Sequence, residues 1–231
     1  MSNPLIYILI APPGSGKGTQ AILLSEKFDL YHLETSKIIE QKIMGANKGA
    51  FAEIDNKKYF FEKEKELWQK GILCSPEFVA YLIKEKIQEL HKEKKGIVFS
   101  GSPRTLYEGE KLVPFMIELY KKENIKVFEI LLSPEESIFR NSHRRICELM
   151  RHPILWTKET ENLEHCPLDG SKLLRRKGLD DPETIKTRLK EYKERTYPLI
   201  DYFENQALDV KKIKGEQTVE QVFKEILSNI K

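Results

Sequence analysis

The chain has 231 residues, 40% hydrophobic and 32% charged, with a formal net charge of +3 from 39 basic and 36 acidic side chains. This composition fits a folded globular chain rather than a disordered one, and its balanced charge carries no broad footprint for nucleic acid. No apolar run approaches the ~20 residues that span a bilayer, the 3 cysteines are too few for a disulfide framework, and nothing at the N-terminus reads as a signal peptide, so a cytoplasmic location is expected.

The first predicted strand is Leu5–Ile10 (LIYILI), followed by APPGSGKGTQ and a helical pattern in AILLSEKF. A short strand is predicted at Tyr31–Leu33. Residues 41–70 are polar, lysine-rich and helical in pattern, and read as an appendage. The helical pattern EFVAYLIKEKIQEL leads to a strand at Gly96–Phe99, and KLVPFMIELYKK leads to one at Lys126–Leu132. Residues 147–176 lack periodicity and carry turn signals at PLDG, as a lid or binding loop does. A last strand, Val210–Ile213, precedes TVEQVFKEILSNI, whose apolar residues at 219, 222, 223, 226 and 227 form an amphipathic stripe. Strands alternating with helices predict an α/β fold, a mostly parallel sheet covered on both faces.

A strand, a glycine-rich turn and a helix form the context in which a loop cradles phosphate. Gly14, Gly16 and Gly18 let the backbone curl so that N–H groups point inward. The helix starting near Lys17 adds its positive dipole end. Lys17 supplies a cation for β- and γ-phosphates, and Thr19 a hydroxyl able to reach Mg²⁺. The loop departs twice from the G-x4-G-K-[ST] pattern: Ala11 replaces the first glycine, and Gly18 separates the lysine from Thr19.

GSGKGTQ, GSPRT at 101–105, RRIC at 144–147 and DDPETIKTRL at 180–189 together resemble the long-lid adenylate kinases and related nucleoside monophosphate kinases, over almost the whole chain. The resemblance implies a P-loop fold with a five-stranded parallel sheet, an acceptor-binding appendage and a lid. It divides the chain into a core of 1–34, 72–146 and 177–231, an acceptor-binding appendage of 35–71 and a lid of 147–176. It implies transfer of the ATP γ-phosphoryl group to AMP or another nucleoside monophosphate, with Mg²⁺. Pro13, Gly14, Ser15, Gly16, Lys17, Gly18, Thr19 and Gln20 are then the ATP loop. Arg145 and Arg176 (or Arg175) also belong to the ATP side, Arg140 is a register alternative to Asn141, and Asp180 and Asp181 orient the arginines. Lys17, Arg104, Arg145 and Arg188 are the expected electrostatic catalysts, since phosphoryl transfer depends on positioning and charge stabilisation. Thr35, Arg104, Glu108 and Arg188 are the expected acceptor residues.

The acceptor side departs from the family pattern. STGDMLR is replaced by ETSKIIE at 34–40, which puts Lys37 at the aspartate and Glu40 at the phosphate-gripping arginine. Ser100 stands for the aspartate before GSPRT, and Glu108 for the base-reading glutamine. The appendage is longer by about a dozen residues, which surface loops tolerate. A carboxylate only accepts hydrogen bonds, so at position 108 it suits the donors of guanine or cytosine better than adenine, unless the register differs. Two other readings compete: a nucleotide-binding relative with little or no kinase activity, supported by positions 40, 100 and 108, and a P-loop kinase for another small acceptor.

In the lid, the positions of four family zinc ligands hold Cys147, Met150, Cys166 and Asp169. A thioether is a poor zinc ligand, so the expectation is a lid held by packing and hydrogen bonds. His152 or His165 is the residue that could complete a site. The expected partners are small nucleotides alone, with neither nucleic acid nor membrane, and the expected state is a monomer.

Overall fold

The computed structural model describes residues 4–176 and 180–230. The expected lid–core boundary at 176/177 and the two ends of the expected core therefore lie in part outside the described residues. In chain order the first elements are β1 (Ile6–Ile10), α1 (Lys17–Phe28), β2 (Leu30–Leu33), α2 (Thr35–Met44), β3 (Phe51–Ile54), β4 (Lys57–Phe60), α3 (Phe61–Gln69), α4 (Pro76–Lys92) and β5 (Gly96–Phe99). Then follow α5 (Leu106–Tyr120), β6 (Ile125–Leu131), α6 (Pro134–His143), β7 (Arg145–Cys147), β8 (Pro153–Ile154), β9 (Leu173–Leu174), α7 (Pro182–Glu191), a π-helical turn (Tyr192–Thr196), α8 (Leu199–Asn205), β10 (Val210–Lys214) and α9 (Val219–Ser228).

The central sheet is parallel, in the order β10-β6-β1-β5-β2. Its middle strand, IYILI, is buried on both faces, which is why it reads as a continuous apolar run. Ile6, Ile8 and Ile10 join Phe78, Leu112, Val127, Leu199 and Phe203 in one core. Tyr7 and Leu9, pointing the other way, join Leu24, Phe128, Val222 and Ile226 in the second. α4, α5 and α8 thus cover one face, and α1 and α9 the other. A capping box between Thr218 and Gln221 fixes the start of α9. No helix among the described residues is long and apolar enough to cross a membrane.

The topology places the site. β1 leads out to β2, β5 returns to lie beside β1, and β6 takes the opposite side. Loops at the carboxyl ends of β1 and β5 therefore diverge and leave a crevice, the usual ligand position in such sheets.

The segment 41–70 corrects the helical expectation. Phe51–Ile54 and Lys57–Phe60 pair as an antiparallel hairpin, with Phe51 opposite Phe60. Its two-residue turn, Asp55–Asn56, is left-handed at both positions (φ 50° and 60°). These short polar side chains tolerate that conformation, and it matches the twist of the flanking strands. The lysines conceal the strand signal, because their long stems cover aromatic rings: Lys58 lies 4.5 Å from the Phe51 centroid and Lys57 4.9 Å from that of Tyr59. The irregular lid segment also contains a small sheet, in the order β8-β7-β9.

Phe203 is fully buried, where α8 meets the sheet. Phe203→Ala should cost about 3–5 kcal/mol in denaturant unfolding. A loss under about 1 kcal/mol would show that this core collapses around the cavity.

Candidate active site

The loop after β1 is built as its glycines suggest. Gly14 and Gly16 are left-handed (φ 81° and 82°), and Gly16 opens α1. A side chain at Gly14 would also meet Asn141 Nδ2 at 2.5 Å. α6 supports the loop from beneath: Ser137 Oγ donates to the Pro13 carbonyl at 2.6 Å. Ser15 is buried, while Gly18 and Thr19 lie half-buried in the first turn of α1. Gln20 does not face the loop. Its amide donates to the Val219 carbonyl at 3.0 Å and ties α1 to α9. Lys17 Nζ donates to the Ala11 carbonyl at 3.2 Å and lines the cleft.

Around Lys17 the fold gathers four arginines. Burial, then the charges of Arg104, Arg188, Arg144 and Arg176, pull the Lys17 ammonium down to about 7. Burial and the charges of Arg176 and Arg144 also lower Arg188, although a guanidinium stays charged. Asp180 offsets this crowding. It accepts from Arg144 Nη2 at 2.5 Å and Arg176 Nη2 at 2.7 Å, with Arg188 Nη1 at 3.9 Å. Burial alone would raise the Asp180 carboxyl, but these hydrogen bonds outweigh it and hold the group below its ordinary value. Asp181 is exposed at the start of α7 and Arg175 is exposed beside Arg176, so neither joins the cluster.

The structure brings Arg144, and not Arg145, to the cluster. Arg145 turns into the lid and donates to the Leu163 and Thr160 carbonyls. Arg144 faces Asp180 and also donates to Asn141 Oδ1 at 2.6 Å. Successive side chains at the start of a strand point to opposite sides, so a slip of one residue exchanges the two arginines. Strand parity in RRIC was the available signal. Of the two register alternatives, Arg140 lies in the last turn of α6 and donates to the Gly215 carbonyl at 3.0 Å, while Asn141 is buried under Gly14.

Beside the cluster, Thr35, Ile39, Trp68, Leu73, Val79 and Arg104 help to line a small pocket. Thr35 is fully buried and its Oγ1 has no hydrogen-bond partner among the described residues, which leaves a hydroxyl able to bond a ligand in the pocket. Glu108 also lines this pocket but is committed elsewhere. Its Oε2 accepts from Ser102 Oγ (2.8 Å) and Arg104 N–H (2.9 Å), and its Oε1 from Thr105 Oγ1 (3.1 Å). Burial pushes its carboxyl up, against these hydrogen bonds. Ser100 Oγ is hydrogen-bonded to His32 Nε2 at 2.7 Å. Glu34, Lys37 and Glu40 all line the cleft, and Lys37 pairs with Glu34 at 2.9 Å.

The lid brings together Cys147, His152, Cys166 and Asp169, with one ligand atom from each lying within 4.8 Å of the others. Met150 is exposed and stays outside. His152 takes its place because Arg151, left-handed at φ 57°, turns the chain back, and the His152 N–H donates to Cys147 Sγ at 3.1 Å. His165 pairs with Lys172 in a β-bridge and is not in the group.

The model of the family described as adenylate kinase matches residues 9–208. An adenylate kinase of Clostridium acetobutylicum is 33% identical, with 95% of each chain covered. One of Archaeoglobus fulgidus is 33% identical, covering 95% of this chain and 94% of the relative, and one of Caldicellulosiruptor bescii is 34% identical, covering 95% and 96%. With its loop, arginine cluster and five-stranded parallel sheet, the chain belongs to the adenylate kinase family.

Proposed function

We propose that this chain, a phosphotransferase of the nucleoside monophosphate kinase type, moves the γ-phosphoryl group of ATP onto AMP, and that both pockets act within a single copy in the cytoplasm. The observation that carries this reading is the convergence of Lys17, Arg104, Arg176 and Arg188 on one cleft beside the Thr35 pocket, with Arg144 joined to them through Asp180. Loop amides and Lys17 hold the β- and γ-phosphates. Arg104 holds the acceptor phosphate, Arg188 stands between the two ends, and Arg144 and Arg176 approach from the lid side. Thr35 gives the acceptor nucleoside a hydrogen-bonding partner. The acceptor phosphate is already an anionic nucleophile, so no side chain need act as a base, and fixed positive charge supplies the stabilisation. Thr19, in the first turn of α1, is the hydroxyl that suits Mg²⁺, which when bound with ATP neutralises charge on the phosphates.

A coupled assay of ADP formation from ATP with AMP, GMP, CMP or UMP tests the reading. AMP should be turned over fastest. Arg144→Ala should lower kcat by about a hundredfold or more, while Arg145→Ala should leave kcat within about tenfold and loosen the lid to proteolysis. No transfer to any monophosphate contradicts the function, and the reverse ranking of the two variants contradicts the arginine assignment.

We also infer that the lid holds zinc through Cys147, His152, Cys166 and Asp169. Support comes from the donor set, two sulfurs, one imidazole nitrogen and one carboxylate oxygen, which suits tetrahedral Zn²⁺. Zinc would tie both ends of the lid segment together. Elemental analysis should find about one zinc per chain, less in His152→Ala, and a chelator should lower the melting temperature. Metal-free protein from zinc-supplemented culture would contradict the assignment.

A further inference from the structure

We propose that Glu108 and Thr196 are positioning residues that clamp the peptide of Arg104 from its two ends, and that Glu108 braces this loop instead of reading the acceptor base. The proposal rests on the reading that Arg104 holds the acceptor phosphate.

Arg104 sits in the loop after β5, a segment without a ladder to fix it. Its N–H donates to Glu108 Oε2 at 2.9 Å, and its carbonyl accepts from Thr196 Oγ1 at 2.7 Å. Both backbone groups are thus held by buried side chains, Glu108 at 1% and Thr196 at 7% exposure. A peptide fixed at both ends sets where the Cα–Cβ bond points, and an arginine with four rotatable bonds needs that start to aim its guanidinium.

Each clamp has a local cause. Thr105 caps α5: its Oγ1 accepts the Glu108 N–H at 3.2 Å and donates to Glu108 Oε1 at 3.1 Å. This closed ring, three residues across, turns the carboxylate back over the loop. Ser102 Oγ completes the grip at 2.8 Å. Three of the four acceptor positions of an ionised carboxylate are then filled from residues 102–105. A base could compete only for the last.

Thr196 ends the π-helical turn that continues α7. In an unbroken α-helix a residue eight positions after Arg188 would be turned by roughly 80°. The wider π turn absorbs this offset, and Arg188, Glu191, Tyr192 and Thr196 all line the cleft. The same helical segment that offers Arg188 to the cleft therefore also holds Arg104. Glu191 adds a tie to the segment just after the appendage, accepting the Leu73 N–H at 3.1 Å.

Three measurements on the full chain test the proposal. Thr196→Val keeps the side-chain volume and removes the donor. It should raise the KM for AMP about tenfold while leaving the KM for ATP and the melting temperature near wild type. Thr196→Ser should restore the acceptor KM. Glu108→Gln should raise the KM of AMP, GMP, CMP and UMP by a common factor and leave their ranking unchanged. Hydrogen exchange at the Arg104 amide in ligand-free protein should accelerate about tenfold in Thr196→Val and in Glu108→Gln. An unchanged AMP KM in Thr196→Val, no rescue by Thr196→Ser, or unaltered Arg104 exchange would overturn the clamp. A tenfold change in the AMP-to-GMP preference of Glu108→Gln would show instead that Glu108 reads the base. If wild type turns over no monophosphate, the functional reading fails, and the exchange experiment still decides whether the clamp exists.

Discussion

Repulsion among like charges is the constraint on which this structure turns. Lys17, Arg104, Arg176 and Arg188 crowd one cleft and Arg144 adds its charge beside them, and each close like-charge pair costs on the order of 1–4 kcal/mol depending on its screening. Asp180 relieves only part of this. It binds Arg144 and Arg176 directly and lies near Arg188, while Lys17 donates to the neutral Ala11 carbonyl and is driven towards neutrality. Such an arrangement is unfavourable in ligand-free protein and favourable once phosphates fill it. The cluster acts as a stored demand for anions, and its geometry must be enforced by groups that do not themselves bind the ligand.

Much of the surrounding architecture supplies that enforcement. The sheet puts two diverging loops at the carboxyl ends of β1 and β5. α6 presses Ser137 and Asn141 against the first loop. Glu108 and Thr196 grip the second through its backbone. The Arg144 guanidinium is fixed by Asn141 and Asp180 together, so α6 supports both the phosphate loop and an arginine of the cluster. These neutral or anionic supports hold the cations against their repulsion, which is the preorganisation that phosphoryl transfer requires.

The sequence showed the layered α/β class, the phosphate loop and the two interruptions because each depends on local signals: buried strand runs, glycines before a lysine, and loss of periodicity. The finer placements depend on tertiary context. Arg144 and Arg145 are chemically identical neighbours, and only the turn of the chain from the end of α6 into β7 separates them. Gln20 lies inside the phosphate motif, yet packing against α9 claims its amide. Glu108 aligns with a base reader, but its place three residues after the Thr105 cap directs it to the loop. His152 falls two residues from the expected ligand position, and the left-handed Arg151 makes up the difference. The Asp55–Asn56 turn was readable in principle, and the lysines around it masked the strands.

The central claim is that the cleft is an over-charged site completed by a polyanion, with Lys17 its most strained member. The most direct measurement is the proton balance of ATP binding, by titration calorimetry at pH 8 in buffers of different ionisation enthalpy. Ligand-free Lys17, at about 7, is largely neutral at that pH. Bound phosphates favour its charged form and raise its pKa, so binding must draw in protons. The account predicts uptake approaching about one proton per ATP in wild type and much less in Lys17→Met. Binding with no proton uptake in wild type, or equal uptake in both proteins, would contradict it.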